Sequence, residues 1–145
     1  MTTIEHPNEG IFAMTEKHSV YRLQVSTQFS SSHQLRNYGG KCEELHGHNF
    51  TVQAEVEGTR LEPDTSILID FKVLKAKLNQ VVDPLDHTHL NQLPQFSELN
   101  PSSENLAKHI YQELGKTLQD TGVQVRKVSV SEKESSTAVY MEVDA

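Results

Sequence analysis

The sequence predicts an α+β domain of order ββααββ, a four-stranded antiparallel sheet carrying two helices on one face. Three observations support that expectation: two period-two alternations, then two stretches of helical spacing, then two strand-like runs. In the first strand Tyr21, Leu23, Val25, Thr27 and Phe29 share a face, and a polar stretch through Asn37-Tyr38-Gly39-Gly40 reads as a loop. The second alternation runs His46, His48, Phe50, Val52, Ala54 and Val56 and ends at Gly58. Two strands in succession predict an antiparallel pair.

The period then changes. Asp70 is a good N-cap residue, and Phe71, Leu74, Leu78, Val81 and Val82 recur at helical intervals until Pro84 stops them. Asn100-Pro101-Ser102-Ser103-Glu104 opens a second helix with cap residues, an early proline and an acidic first turn. Leu106, Ala107, Ile110, Leu114 and Leu118 continue it, with Gly122 just beyond. Residues 123–132 and 138–143 are expected to be the closing strands. The apolar parity slips between Val125 and Val128, which predicts a bulge. Such a sheet has two open edges, and joining sheets edge to edge in a ring would cover them, so a homo-oligomer is expected.

With 145 residues, the chain is long enough for one good core and too short for two. Residues 1–19 are polar and unpatterned and read as an N-terminal extension; residues 20–145 read as the single domain. Thirteen basic against twenty acidic residues give a net charge of -7, the opposite of the usual nucleic-acid binder. No stretch approaches the ~20 apolar residues that span a bilayer, so no membrane partner is expected. One cysteine excludes an internal disulfide framework, and with no secretory signal the expected location is cytoplasmic.

Eight histidines are a generous supply of ligands and proton carriers. His46 and His48, separated by Gly47, project from the same face of a strand. His33 ends the first strand on the parity of Phe29, where an antiparallel neighbour brings it beside them. Three imidazoles converging on one ion describe a zinc site whose fourth position is open for chemistry. The plain alternative is a strand start with solvated histidines. Cys42 lies in a Gly-Gly-Lys-Cys loop. It reads as a thiolate activated by nearby positive charge, as a small buried apolar residue, or as a fourth zinc ligand. After Pro84, Leu85–Asn91 reads as a loop in which Asp86-His87 places a carboxylate next to an imidazole, the usual device for fixing a tautomer; the plain alternative is two solvated loop histidines, His87 and His89. Glu132 projects from an apolar strand face and needs a partner, either an ion pair or a ligand with N–H donors.

Taken in order, these pieces resemble the 6-pyruvoyltetrahydropterin synthase / 6-carboxytetrahydropterin synthase family from about Tyr21 to Val143. The resemblance rests on His33, Cys42-Glu43-Glu44-Leu45-His46-Gly47-His48, Ile69-Asp70-Phe71 and Leu85-Asp86-His87. It continues through Asn100-Pro101-Ser102-Ser103-Glu104-Asn105-Leu106-Ala107 and Ser131-Glu132, eight residues before Tyr140. It implies a tunnelling fold, with rings of three subunits stacked into hexamers and active sites between subunits. By matching positions it implies zinc on His33, His46 and His48, and a catalytic thiol at Cys42. It also implies an acid/base pair of Asp86 and His87 from a neighbouring subunit. Glu132 would anchor the pterin ring in a pocket lined by Ser102, Ser103 and Glu104. The family often has threonine at Ser102 or Ser103, which keeps the hydroxyl.

Three residues separate Cys42 from His46, as in the bacterial 6-carboxytetrahydropterin synthases of queuosine biosynthesis. Animal-type 6-pyruvoyl enzymes resemble one another in a longer insert, and folate-pathway relatives put a glutamate where this chain has Cys42. The implied reaction is zinc-dependent conversion of 7,8-dihydroneopterin triphosphate to 6-carboxy-5,6,7,8-tetrahydropterin, with release of acetaldehyde and triphosphate. The neighbouring reading is 6-pyruvoyltetrahydropterin synthesis, and the rival of another class is a non-catalytic pterin- or metal-binding paralogue. Lys41, Arg36 and Lys133 are the cations nearest these motifs in sequence and the candidates for the triphosphate.

Overall fold

The computed structural model describes residues 16–39 and 44–145. Strands β1 (Tyr21–His33) and β2 (His46–Gly58) are followed by α1 (Phe71–Val82) and α2 (Ser103–Thr117). Strands β3 (Gln124–Lys133) and β4 (Ser136–Tyr140) then close the chain. They form one antiparallel sheet in the order β1-β2-β3-β4. Helix α1 packs over β1, and α2 over β3 and β4, so both helices cover one face. The four-stranded sheet and two helices are those expected from the periodicity.

Local chemistry sets the helix starts. Asp70 accepts the Lys72 N–H at 2.7 Å, and Ser102 accepts the Asn105 N–H at 3.2 Å. Each satisfies an N–H that the first turn would leave unpaired. Helix α1 buries Leu74, Leu78, Val81 and Val82, and α2 buries Leu106, Ala107, Ile110 and Leu114. These meet Phe29 from β1, Phe50, Val52, Ala54 and Val56 from β2, and Val128 and Val130 from β3. Burying one such aliphatic side chain contributes roughly 1.5–3 kcal/mol.

Register carries this core face to the functional end. Strands β1 and β2 pair without a slip from Tyr21↔Gly58 to His33↔His46. A one-residue slip would turn every histidine to the opposite face. The expected bulge is present: Val56 pairs with Val125 and Glu55 with Lys127, leaving Arg126 as the extra residue. A second break, between Ser131↔Thr137 and Lys133↔Ser136, leaves Glu132 unpaired with β4.

Two expectations are corrected. The last strand spans Ser136–Tyr140, not 138–143, because Glu134-Ser135 make a tight turn and pairing resumes at once; residues 141–145 lie outside the strand and are exposed. The stretch Leu85–Asn91, read as a loop, belongs to a connection with three short 3₁₀ turns at Asp83–Leu85, Leu90–Gln92 and Pro94–Phe96. Each buries one apolar side chain, Leu85, Leu90 or Phe96, and so ties the connection to the core. Among the described residues no helix is long and apolar enough to cross a membrane. Residues 1–15 of the expected N-terminal extension lie outside the described residues, and 16–20 are exposed without regular structure.

Candidate metal centre and active site

His33, His46 and His48 converge where β1 ends and β2 begins. His33 stands directly across from His46, and His48 across from Ser31, all on the core face of the sheet. Ring centroids are 4.4 Å apart for His33–His46, 4.6 Å for His46–His48 and 5.5 Å for His33–His48. Phe50 stands edge-to-face with both His33 and His48 and joins the cluster to the core. A Cβ at Gly47 would meet nothing nearer than the Ser31 carbonyl at 4.0 Å, so no approach within the chain demands glycine there.

The tautomers follow from backbone partners. His33 Nδ1 donates to the Pro101 carbonyl at 2.7 Å, and His46 Nδ1 donates to the Glu44 carbonyl at 2.8 Å. A carbonyl only accepts, so both neutral rings carry the proton on Nδ1 and leave Nε2 as a free lone pair. His33 is fully buried, and burial holds its pKa below the ordinary 6.5, with partial opposition from the Pro101 hydrogen bond and from Glu132. Burial likewise lowers His48.

Glu132 completes the group. Its Oε1 lies 3.3 Å from His33 Nε2 and its Oε2 lies 3.5 Å from His48 Nε2. The four residues offer donor atoms that all fall within 4.8 Å of one another. His33 Nε2 is buried with no hydrogen-bond partner. A neutral imidazole lone pair facing a carboxylate oxygen places two acceptors together, an arrangement that suits a cation between them. The donor set therefore fits a divalent metal ion.

The strand pattern requires a partner for Glu132, an ion pair or a ligand with N–H donors, but does not place it among the imidazoles. Its parity with Val128 and Val130 was the available signal. The bulge that leaves it unpaired with β4 was not readable from local pattern.

Glu132 also faces a second space. Ser103 Oγ donates to Glu132 Oε1 at 3.4 Å, and a cavity of about 260 Å³ is lined by Ser102, Ser103, Glu104 and Glu132, with Leu35 and Thr137. The expected pocket residues are thus brought together beside the cluster. The Ser102 hydroxyl is already committed to capping α2.

Asp86 and His87 are placed elsewhere, on the outer edge of β1. The Ser30 N–H donates to Asp86 Oδ1 at 2.8 Å, the His87 N–H to the Ser30 carbonyl at 2.7 Å, and the Ser32 N–H to the Thr88 carbonyl at 3.0 Å. Asp86 Oδ1 meets His87 Nδ1 at 2.7 Å, with His87 in the left-handed region at φ 54°. The Ser30 N–H, with His87, holds the Asp86 carboxyl below its usual range. The His87 side chain is 82% exposed, and among the described residues no hydrogen bond or ion pair links the pair to the histidine cluster.

Two asparagines whose role the sequence does not signal fasten the segment after His33. Asn91 exchanges two hydrogen bonds of 2.8 Å with the Gln34 backbone, and Asn100 exchanges two of 2.9 Å with that of Arg36. An amide side chain carries both a donor and an acceptor and so imitates a strand partner. The Arg36 guanidinium donates to the Phe96 and Leu99 carbonyls, a structural use that competes with phosphate binding. Lys133 is exposed, and its charge helps to lower His48. Lys41 and Cys42 lie outside the described residues.

Several known proteins are similar to this chain. The profile of the family described as 6-pyruvoyl tetrahydropterin synthase matches residues 22–143. A Synechocystis protein named 6-carboxy-5,6,7,8-tetrahydropterin synthase is 37% identical over 117 residues, covering 77% of this chain and 86% of that one. A human protein named 6-pyruvoyl tetrahydrobiopterin synthase is 33% identical over 135 residues, covering 82% and 91%. The solved 6-pyruvoyl tetrahydropterin synthase of Caenorhabditis elegans superposes with a TM-score of 0.77 at 22% identity, covering 89% of this chain and all of that one, a likeness of fold. From the matched residues and these relatives, the chain belongs to the 6-pyruvoyl tetrahydropterin synthase family.

Proposed function

We propose that the protein converts 7,8-dihydroneopterin triphosphate and water to 6-carboxy-5,6,7,8-tetrahydropterin, acetaldehyde and triphosphate, with zinc as its metal, in cytoplasmic queuosine biosynthesis. The observation that carries the reading is the convergence of His33, His46 and His48 beside a cavity that Glu132 also lines. A pterin presents an amino group and ring N–H groups, and Glu132 is a carboxylate suited to accept from both. Ser103 helps to hold that carboxylate, and Ser102 and Glu104 frame the same cavity.

Zinc, when bound, supplies Lewis acidity to the substrate's side-chain oxygens. Every proton movement falls to the protein. Cys42 as thiolate takes a proton from the side-chain carbon next to the ring. Asp86 keeps the His87 proton on Nδ1, so Nε2 exchanges protons with the side-chain hydroxyls. General acid/base steps of this kind are worth about 10²–10⁴-fold. Lys133, exposed and next to Glu132 in sequence, is the proposed cation for the triphosphate.

Asp86 and His87 serve the metal site of a neighbouring subunit in a hexamer built as a dimer of trimers. Their position on the β1 edge and the exposed apolar side chains Tyr21, Phe71 and Val73 support such an assembly. The three-residue spacing between Cys42 and His46 supports the carboxy product, as does the Synechocystis relative. The human relative favours the second reading, elimination of triphosphate to a 6-pyruvoyl product.

Mass spectrometry of the products from zinc-loaded protein and 7,8-dihydroneopterin triphosphate, under anaerobic conditions, tests the proposal. A carboxy-pterin with acetaldehyde is expected. A pterin that keeps all three side-chain carbons moves the protein to the pyruvoyl reaction. Unchanged substrate with zinc bound contradicts both and favours a binding protein.

A further inference from the structure

We propose that Glu132 is a displaceable fourth protein donor to the metal: it closes the ion's coordination while the cavity is empty of pterin and turns to the ring's N–H groups when pterin enters. The inference rests on the zinc and pterin reading above and adds a second, exclusive partner for the same carboxylate.

Three observations support it. The first is distance. Two ligand atoms at ~2.0–2.1 Å from one tetrahedral ion lie ~3.3–3.4 Å apart. Glu132 meets His33 and His48 at 3.3 and 3.5 Å, the separation of donors sharing an ion. The second is the lack of a competing tether. Among the described residues Glu132 has no lysine or arginine partner, and its one hydrogen bond, from Ser103, is long at 3.4 Å. The third is reach. Glu132 sits at a break in the β3–β4 register and borders both the histidine cluster and the cavity of about 260 Å³. Bulges next to active sites commonly re-aim a side chain in this way.

The consequence is an ordered opening. A three-histidine site with a permanently open position would hold the metal with water at all times. With Glu132 as fourth donor, that position is released by the groups that also orient the substrate. Chemistry at the metal is thereby tied to correct seating of the ring.

The full chain, loaded with cobalt(II) as a spectroscopic substitute, tests this directly. The visible spectrum reads coordination, and competition with a chelator reads affinity; both are measured for wild type, Glu132→Gln and Glu132→Asp, with and without neopterin. Wild type is expected to show a four-coordinate spectrum that neopterin shifts toward that of the metal-bound Glu132→Gln protein. Glu132→Gln is expected to bind cobalt at least ~10-fold more weakly, a loss no smaller than that of an outer-shell partner. Glu132→Asp, which keeps an oxygen donor, is expected to fall between the two. Glu132→Gln matching wild type in spectrum and affinity overturns the inference and leaves the three-histidine site standing. A wild-type spectrum indifferent to bound neopterin also overturns it. Failure of wild type to bind cobalt overturns the zinc reading and this inference with it.

Discussion

The histidine cluster and the Asp86–His87 pair are built on opposite principles. The cluster is assembled from β1, β2 and β3 within one chain, its deepest member fully buried and two of its rings fixed by backbone carbonyls. The Asp86–His87 pair is held by the edge of β1, yet its imidazole faces outward. One region brings its side chains together within the chain; the other is fixed in orientation and, among the described residues, makes no hydrogen bond or ion pair with the first. On the proposed function, metal binding belongs within a subunit and proton transfer crosses a boundary between subunits.

Substitutions sharpen that contrast. The largest effect is expected from His33→Ala, which removes a buried donor. Metal affinity should fall by more than ~100-fold, beyond the loss of any outer-shell partner, and product formation should fall to background. Chelator competition and product assay measure the two. His87→Ala should lower turnover by about 10²–10⁴-fold while zinc affinity stays within ~2-fold of wild type. A parallel loss of metal in His87→Ala would break the comparison.

The two regions also differ in acid. Burial depresses the pKa of His33 below 6.5, so between that value and its folded one the unfolded chain binds the proton more readily. Stability of the metal-free protein should therefore fall as pH drops below about 6.5, with His48 and His109, both also lowered by burial, adding to the slope. Asp86 is likewise depressed, from 3.8, so its contribution persists at neutral pH and is lost only as pH falls below that ordinary value. Urea midpoints measured from about pH 7 down to about pH 3 should show the two windows. His33→Gln should flatten the upper one and Asp86→Asn the lower. The smallest effect is expected from Asp70→Ala, which uncaps α1 at a cost of ~1 kcal/mol in thermal or urea unfolding and leaves metal affinity unchanged.

The fold was legible because periodicity and register agree. The parity that put His33 with Phe29, and His46 and His48 with Phe50, is the parity that buries the core, so the metal cluster follows from the same pattern. What stayed hidden depends on contacts distant in sequence or on turns. Glu132 reaches the imidazoles through a register break set by the Glu134-Ser135 turn, and the same turn moved β4 to Ser136–Tyr140. Asn91 and Asn100 do their work by bonding backbone that lies 57 and 64 residues away in sequence, which no local pattern signals. Arg36 looked like a phosphate cation from its charge alone, and the structure gives its guanidinium two carbonyl partners. Cys42, the thiol on which the proposed proton transfer depends, lies outside the described residues.

The most direct test of this division between subunits is a mixing experiment. Purified His33→Ala, defective in the metal site, and His87→Ala, defective in the acid/base pair, are dissociated together, reassembled and assayed with zinc and 7,8-dihydroneopterin triphosphate. If each site takes its metal from one chain and His87 from another, random reassembly restores about a quarter of the sites. Activity near that level from two inactive parents is the predicted result. Mixed oligomers that stay as inactive as the parents would place both functions in the same chain and contradict the account.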